Sequence, residues 1–329
     1  MAKKLFGTDG IRAEAGQFPL DYSSLCILGG ALVGLLRGKG LEPMVLIGRD
    51  TRESGPWMEK ALVQGIREAG GEPHSAGVIP TSALSFLVGR SDFAAGIVIS
   101  ASHNPFRDNG IKIFSHEGVK IPDDWEIDLE RVLLGTREMK APEAADLRPE
   151  PGFTGDYIAY LKGRCRPGRG GRRFKVVLDC ANGASSFIAP RIFGELGFEA
   201  VAIHSAPDGR NINTGCGSLY PEDMARAVVA ERAALGVAYD GDADRAVWAD
   251  EKGRVLNGDH TLFVQAFDMK EAGRLRPAGV VATTMSNMGL EKAFGRAGIP
   301  FARTRVGDKY VYEEMRGRGA NLGGEQSGH

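Results

Sequence analysis

Three aspartates alternate in a short loop, at Asp240, Asp242 and Asp244, directly after the apolar segment 235–239. Alternate residues of an extended loop can point to the same side, so the three carboxylates would meet there. Carboxylate oxygens are the ligands that Mg²⁺ and Ca²⁺ prefer, and a divalent cation removes the repulsion between them. A solvated acidic turn is the alternative, but an acidic triplet is uncommon directly after a buried strand. The loop therefore predicts a metal site.

An EF-hand calcium loop is the first competitor for this segment, because Glu251 stands at the twelfth position counted from Asp240. The rest of the segment disagrees with that motif. Arg245 occupies the position where an EF-hand needs glycine, and residues 246–248 are apolar. We therefore expect a metal site of another kind.

A serine loop follows a second apolar segment, 94–99, and reads Ser-Ala-Ser-His-Asn-Pro at 100–105. The Asn-Pro pair forces a turn, which leaves Ser102 at the carboxyl end of a predicted strand. A serine hydroxyl needs a base, a metal or a charge to become a nucleophile, and the Gly-x-Ser-x-Gly signature of triad hydrolases is missing. By itself the loop fits a structural turn as well as a catalytic one. The aspartate loop elsewhere in the chain favours catalysis.

Three further loops offer polar groups among glycines. Segment 6–12 ends on Arg12 and segment 108–112 ends on Lys112, so each supplies a cation and backbone N–H groups for a phosphate. The segment 323–329 combines a carboxylate, an amide, a hydroxyl and an imidazole, which suits hydrogen bonding to sugar hydroxyls. Each of these loops alone could be an ordinary turn.

The elements that must position these loops follow one pattern three times. Each repeat consists of a strand, a loop, a helix, a glycine and a second strand. The three repeats begin at residues 44, 175 and 279. Continuous apolar strands are buried on both faces, and glycine commonly ends a helix. We predict three consecutive α/β domains with mixed, mostly parallel sheets. Ligand loops are expected at the carboxyl ends of the strands.

The domain boundaries are predicted from composition. Residues 136–155 form the expected first linker and residues 250–258 the second, which gives domains at 1–150, 151–252 and 253–329. The basic segment 162–173 is interpreted as a solvated loop between domains rather than a nucleic-acid tail.

The bulk composition of the 329 residues excludes several classes of protein. A net charge of −1 disfavours nucleic-acid binding. The cysteines, at 26, 165, 180 and 216, form no CxxC pair, which disfavours a disulfide framework and a zinc site. The amino terminus has no apolar signal region, and the longest apolar stretch, 25–36, is too short to span a bilayer. These features indicate a cytoplasmic enzyme or binding protein.

Taken in order, the loops resemble the α-D-phosphohexomutase superfamily over essentially the whole chain. The resemblance rests on Ser-Ala-Ser-His-Asn-Pro at 100–105, Asp-Gly-Asp-Ala-Asp-Arg at 240–245 and Gly-Glu-Gln-Ser-Gly-His at 324–329. The amino-sugar branch matches best, through segment 6–12, the Ser-Ala-Ser triplet and Gln326, where phosphomannomutase-type relatives usually carry methionine.

The resemblance implies that Ser102 carries a phosphoryl group and that phosphoserine and the three aspartates hold one Mg²⁺ per chain. The implied reaction interconverts glucosamine 6-phosphate and glucosamine 1-phosphate through a bisphosphate, in the supply of UDP-N-acetylglucosamine for cell-wall precursors. The alternatives are a phosphomannomutase/phosphoglucomutase and an inactive sugar-phosphate-binding fragment.

The resemblance also implies roles for residues around the serine and the metal. Arg12 and Lys112 would stabilise charge or move protons at the reacting hydroxyl. Arg245 and His103 would lie beside the phosphoryl group, and His329 would lie near the reacting end of the sugar. Residues that would contact the sugar are Glu325, Ser327, Gly307 and Asp308. The expected partner is a hexosamine phosphate, with neither nucleic acid nor membrane involved, and a homodimer is compatible with the family.

The chain departs from the family pattern at its end. Family members have a fourth domain whose loop binds the non-reacting phosphate, and the sequence stops at His329, within the third. We expect an incomplete third domain. We also expect a chain that binds Mg²⁺ and accepts a phosphoryl group on Ser102 but turns substrate over slowly.

Overall fold

The computed structural model describes residues 4–135, 147–165 and 174–329, and these residues form three α/β units in sequence order. The prediction of three consecutive α/β domains with mixed sheets is confirmed. Of the predicted first linker, residues 136–146 lie outside the described residues. The same is true of residues 166–173 of the basic segment.

The first unit contains a six-stranded sheet. Its strands are β1 (Phe6–Gly7), β2 (Gly10–Glu14), β3 (Met44–Arg49), β4 (Glu72–Val78), β5 (Ala95–Ile99) and β6 (Asp108–Ser115). Their spatial order is β1-β2-β6-β5-β3-β4. Strands β5, β3 and β4 are parallel, whereas β1, β2 and β6 pair antiparallel with their neighbours. Parallel strands therefore do not dominate this sheet.

Helices cover both faces of the first sheet. They are α1 (Tyr22–Gly38), α2 (Gly55–Glu68), α3 (Thr81–Val88) and α4 (Asp123–Gly135). Alternation along β3 divides the core, because Val45 and Ile47 pack with α1, α2 and α4 whereas Leu46 packs with α3. All five residues of β5 are buried, so the strand that leads into the serine loop lies at the centre of the unit.

The second unit contains a five-stranded sheet. Its strands are β7 (Lys175–Asp179), β8 (Glu199–Ile203), β9 (Leu235–Tyr239), β10 (Ala246–Asp250) and β11 (Val255–Leu256), in the order β11-β10-β9-β7-β8. Its helices are α5 (Phe153–Arg164), α6 (Ala189–Glu195) and α7 (Glu222–Ala230), with a short 3-10 helix at Ala184–Phe187. β7, β8 and β9 are parallel, and β10 and β11 are antiparallel.

The second predicted linker, 250–258, includes strand β11. β11 pairs with β10 as a hairpin, which keeps residues 255–256 with the second sheet. A polar turn at 251–254 that joins two strands has the same composition as a linker, and only the pairing distinguishes them. The domain limits at 150 and 252 otherwise stay predictions.

The third unit is smaller in the described part of the chain. Its strands are β12 (Val280–Thr283), β13 (Phe301–Thr304) and β14 (Leu322–Gly323), all parallel in the order β13-β12-β14. Its helices are α8 (Gly258–Glu271), α9 (Met288–Arg296) and α10 (Asp308–Arg318). None of the helices in the described ranges is long and apolar enough to cross a membrane.

Candidate active site

Ser102 lies in the loop after β5, fully buried, where the first and second units meet. Its Oγ donates a hydrogen bond to Asp240 Oδ2 at 2.5 Å, and its N–H donates to Ser100 Oγ at 2.9 Å. Its backbone has φ of +54°, in the left-handed region that costs a non-glycine residue roughly 1 kcal/mol or more. A residue held in this conformation needs surrounding contacts that impose it.

Two side chains impose the conformation of the serine loop, and sequence reasoning missed both. Arg52 Nη2 donates to the carbonyls of Ser102 and Asn104, at 3.3 and 2.6 Å. Asn213 Nδ2, from the second unit, donates to the same two carbonyls at 2.8 and 3.1 Å. Arg52 is completely buried and ion-paired with Asp50. The Asp-x-Arg spacing after β3 was the available signal, since it follows a buried strand at its carboxyl end.

The aspartate loop follows β9 and faces Ser102 across the boundary between the units. Asp240 and Asp242 are completely buried. One carboxylate oxygen of Asp240 accepts the hydrogen bond from the Ser102 hydroxyl. The other oxygen accepts a hydrogen bond from the backbone N–H of Arg245 at 3.2 Å. Burial first, and then the charges of Asp244 and Asp242, raise the pKa of Asp240 well above its usual value. The site therefore stabilises an added positive charge.

The donor set fits a hard divalent cation. The Oδ1 atoms of Asp242 and Asp244 are buried and have no hydrogen-bond partner among the described residues. A ligand atom of each of the three aspartates lies within 4.8 Å of the other two. Buried oxygens without a partner are costly unless an ion or water satisfies them. Carboxylate oxygens with the Ser102 oxygen beside them are the donors that Mg²⁺ accepts.

Lys112, on β6, holds the other side of the aspartates. Its Nζ lies 2.8 Å from Asp242 Oδ2, 2.7 Å from Asp244 Oδ2 and 3.1 Å from Asp9 Oδ2. Burial by itself would lower the pKa of Lys112, but the carboxylates of Asp242, Asp244 and Asp9 raise it well above the usual value. Lys112 is therefore a permanent cation suited to stabilising charge rather than to accepting a proton.

Thr81, at the start of α3, contacts Asp242 and was also missed. Its Oγ1 donates to Asp242 Oδ2 at 2.5 Å and its N–H donates to the Asp242 carbonyl at 3.0 Å. Together with Lys112 it occupies Oδ2 and leaves Oδ1 available. No sequence signal marked Thr81, because it and Asp242 are brought together only by the packing of two domains.

His103 lies beside the serine hydroxyl. Its Nδ1 is 3.3 Å from Ser102 Oγ. Burial first, and then the nearby guanidiniums of Arg245 and Arg12, lower the pKa of His103 to about 4. The imidazole is therefore neutral near pH 7 and adds no charge beside the serine.

An open cavity of about 310 Å³ lies against this centre. The residues that line it come from the first loop of the chain, from Arg245 and from the third unit: Leu5, Gly7, Thr8, Asp9, Gly10, Arg12, Arg245, Val306, Gly307, Asp308, Glu325 and His329. The lining combines two guanidiniums, an imidazole and three carboxylates, so it offers both cations for a phosphate and acceptors for hydroxyl groups.

The loop after β14 brings the third unit to the cavity. Arg245 Nε donates to His329 Nε2 at 2.9 Å, and His329 Nδ1 lies 3.8 Å from Asp244 Oδ1. Glu325 Oε1 accepts the N–H of Gly307 at 2.8 Å. Ser327 Oγ is 3.5 Å from Glu325 Oε2, so its hydroxyl is only weakly engaged. The third unit therefore reaches the serine–aspartate centre through His329, with Glu325 and Gly307 beside it in the cavity lining.

A charged bridge joins the first loop of the chain to the third unit beside the cavity. Lys120 Nζ contacts Asp9 Oδ1 at 2.5 Å and Asp308 Oδ1 at 2.7 Å. Arg12 Nη2 donates to the other oxygen of Asp9 at 2.5 Å. Asp308 is thus held by a lysine of the first unit, which sequence reasoning did not anticipate. Every predicted site residue lies in or next to this cavity, and the roles assigned to them stay predictions.

Comparisons with known proteins agree with this architecture. Residues 3–138, 156–253 and 257–329 match the models of phosphoglucomutase/phosphomannomutase alpha/beta/alpha domains I, II and III. The chain is 48% identical to a phosphoglucosamine mutase of Solibacter usitatus over 330 residues, covering 100% of this chain and 74% of that relative. It is 48% identical to the enzyme of that name from Moorella thermoacetica, covering 99% of this chain and 74% of the relative.

A solved structure shows the same fold. A phosphoglucomutase/phosphomannomutase family protein from Burkholderia thailandensis superposes with a TM-score of 0.84 at 26% identity, covering 98% of this chain and 71% of that protein. The chain belongs to the phosphoglucomutase/phosphomannomutase family.

Proposed function

We propose that the chain performs the phosphoglucosamine mutase reaction, converting glucosamine 6-phosphate to glucosamine 1-phosphate with Ser102 as the phosphoryl carrier. The observation that supports this most strongly is the contact of Ser102 Oγ with Asp240 at 2.5 Å, beside two aspartate oxygens that lack a partner. The curated relatives at 45–48% identity carry the same activity in their names.

The chemistry of the site supports a phosphoryl carrier. A phosphoserine carries a charge of about −1.5 to −2 near pH 7. Asp240, Asp242 and Asp244 would hold one Mg²⁺, which supplies charge neutralisation and polarises the phosphoryl oxygens when bound. Lys112 is a permanent cation within reach of the same carboxylates. Phosphoryl transfer depends mainly on such positioning and charge stabilisation.

Ser102 takes part in two phosphoryl transfers, first as donor and then as acceptor. The free hydroxyl of the sugar attacks phosphoserine 102, so a new P–O bond forms to the sugar as the bond to Ser102 Oγ breaks. Ser102 takes up a proton and the sugar hydroxyl loses one. After the bisphosphate turns over, Ser102 attacks the other phosphate, so a P–O bond forms to its Oγ as the bond to the sugar oxygen breaks, and the leaving sugar oxygen gains the proton that Ser102 loses. His103 lies beside this hydroxyl, with Nδ1 3.3 Å from Oγ. Arg12 and Arg245 stabilise the charge on the transferring group.

The third unit would hold the sugar. Glu325 and Ser327 can accept and donate hydrogen bonds to ring hydroxyls, with His329 at the reacting end. Gly307 and Asp308 would position the sugar in its two orientations. We also propose that the reaction takes place in the cytoplasm, with a homodimer as the expected assembly.

The first experiment follows the phosphoryl group rather than turnover. The chain is incubated with Mg²⁺ and glucosamine 1,6-bisphosphate, and the gain of one phosphoryl group is measured by intact-mass spectrometry and mapped to a peptide. We expect labelling of wild type and none of Ser102→Ala. Ser100→Ala is the matched control, because it removes the other serine of the loop; it should keep the label, at a lower rate because the acceptor of the Ser102 N–H is lost. Equal labelling of Ser102→Ala would contradict the proposal.

The second experiment tests the sugar. Phosphorylated chain is mixed with glucosamine 6-phosphate, glucose 6-phosphate or mannose 6-phosphate, and loss of phosphate from Ser102 is timed. We expect the hexosamine phosphate to discharge the serine fastest. Faster discharge by a hexose phosphate would favour the alternative, phosphomannomutase/phosphoglucomutase, and discharge by none would favour an inactive binding fragment.

A further inference from the structure

A second cluster of metal-binding side chains lies in the second unit and shares no residue with the aspartate loop. It consists of Asp179, His204 and Cys216, and one ligand atom of each lies within 4.8 Å of the other two. Asp179 ends β7, His204 follows the neighbouring parallel strand β8, and Cys216 lies in the loop before α7. The cysteine spacing in the sequence predicted no zinc site, because Asp179, His204 and Cys216 are brought together only when β7, β8 and the loop before α7 pack against each other.

The histidine is oriented as metal ligands are. His204 Nδ1 is buried, lies 3.1 Å from Asp179 Oδ1 and makes no hydrogen bond within the described residues. Its other ring nitrogen, Nε2, faces Asp223 Oδ2 at 3.6 Å, just beyond hydrogen-bond distance, and the other oxygen of Asp223 is ion-paired with Arg226. A histidine that binds a metal usually directs its second N–H to a carboxylate. With the proton on Nε2 toward Asp223, the Nδ1 lone pair points into the cluster.

The carboxylate is also held in place. Asp179 Oδ1 accepts the N–H of Ala181 and Oδ2 accepts the N–H of Gly217, both at 2.9 Å. Each carboxylate oxygen has a second lone pair that remains for a cation. Hydrogen bonds of this kind orient carboxylates that ligate metals.

The thiol completes a mixed donor set. Cys216 is 1% exposed, and no hydrogen bond of its Sγ occurs in the parts of the chain that the structure describes. The backbone N–H of the next residue, Gly217, donates a hydrogen bond to Asp179. This hydrogen bond holds the Cys216 thiol beside the carboxylate. The side chain of His204 is 28% exposed, so the cluster opens to solvent on that side.

We propose that Asp179, His204 and Cys216 bind one transition-metal ion, with Zn²⁺ as the expected occupant and water as the fourth ligand. Oxygen, nitrogen and sulfur donors together suit Zn²⁺, which takes four ligands in a tetrahedron. A thiolate does not suit Mg²⁺, so the two sites select different ions. Binding converts the Cys216 thiol to a thiolate and releases its proton.

Such an ion would strengthen the support of the serine loop. Cys216 lies three residues after Asn213, which donates to the carbonyl of Ser102. The N–H of Asn213 donates to the carbonyl of Ala181, two residues after Asp179. The ion would therefore connect the loop that carries Asn213 with the loop after β7 that hydrogen-bonds to it, and so stabilise the position from which Asn213 contacts Ser102.

Cobalt(II) is the probe for the test, because a cobalt–thiolate bond gives a charge-transfer absorption that oxygen and nitrogen ligands do not. The background is Cys165→Ser, since Cys165 is exposed. We expect one saturable thiolate band per chain, displaced by Zn²⁺ and absent in Cys165→Ser/Cys216→Ser. Cys26→Ala, in the first unit, is the control and keeps the band. Asp223→Asn should weaken binding by about 10–100-fold.

Two results would overturn the site: no thiolate band in the folded Cys165→Ser chain, or a band that survives the loss of Cys216. An Asp242→Asn variant alters the other centre and keeps the band, and its disappearance would refute two separate sites. If Cys216→Ser fails to fold, Asp223→Asn serves as the test, because the Asp223 carboxylate lies at the partly exposed edge of the cluster. An unchanged affinity of Asp223→Asn for Co²⁺ would contradict the proposal.

Discussion

Replacing Lys112 by methionine removes the cation at the centre of the acidic cluster. The ammonium lies within 2.8 Å of Asp242 and Asp244 and is 1% exposed. Methionine fills nearly the same space without charge. We expect Lys112→Met to destabilise the metal-free chain strongly and the Mg²⁺-bound chain much less, because the ion offsets the same carboxylates.

The magnitude follows from the geometry. Two unit charges about 2.8 Å apart attract by about 6 kcal/mol at an effective dielectric constant of about 20. Desolvation of the ammonium opposes this attraction. Loss of one partner from a buried ion pair therefore costs about 3–5 kcal/mol. Protonation of Asp242, whose pKa is already raised by burial and by Asp244, sets an upper limit on the cost.

The same difference appears in metal affinity. If the metal-free state loses about 1.4 kcal/mol more than the bound state, Mg²⁺ binds about tenfold more tightly to Lys112→Met than to wild type. This is the opposite of what loss of a structural residue would do. The assays are urea unfolding in EDTA and in Mg²⁺, and calorimetric titration of Mg²⁺.

Lys120→Met is the matched control. Lys120 contacts Asp9 and Asp308 but neither Asp242 nor Asp244, so its loss should lower stability equally with and without Mg²⁺. Equal unfolding of Lys112→Met and wild type in EDTA would refute charge compensation. So would a loss of stability that Mg²⁺ leaves unchanged.

Three further predictions concern the support of the site. Thr81→Val removes a hydrogen bond to Asp242 while keeping the side-chain shape, and should lower the free energy of unfolding by about 1 kcal/mol in urea titration; an unchanged free energy would contradict this. Asn213→Ala should slow labelling of Ser102 by the bisphosphate without altering Mg²⁺ affinity, and equal labelling rates would contradict the carbonyl clamp. Although burial opposes it, two lysine ammoniums lower the pKa of Asp9. Its carboxylate therefore contributes stability above about pH 4 that is lost as pH falls toward the folded-state pKa. Asp9→Asn should flatten the decline of unfolding free energy between about pH 5 and 3, as followed by urea titration, and an equally steep decline would contradict this.

Much of the site was predictable because its residues are local. Asp240, Asp242 and Asp244 alternate in one loop after an apolar strand, so spacing alone predicts convergent carboxylates. Ser102 lies at the end of a buried strand, and the carboxyl ends of parallel strands are where ligands bind. Each strand–loop–helix–glycine pattern likewise lies within about 35 consecutive residues, which is why three α/β units could be predicted.

The supporting residues could not be predicted, because their contacts are long-range. Thr81 and Asp242 are 161 positions apart, and Arg52 reaches Ser102 across 50. Ordinary threonines and arginines carry no local mark of such a role. Strand β11 within the linker predicted at 250–258 was missed for a related reason, since composition does not distinguish a hairpin turn from a connection between domains.

The sequence by itself determined the chemistry: a hydroxyl and three carboxylates, each in a loop after a predictable strand, together with several cations. Tertiary structure alone decided the state of each group. Packing of two domains buries Ser102 against Asp240, leaves the Oδ1 atoms of Asp242 and Asp244 without partners, and keeps Lys112 charged. Those properties depend on dielectric surroundings and on distances between charges, and both quantities exist only once the chain has folded.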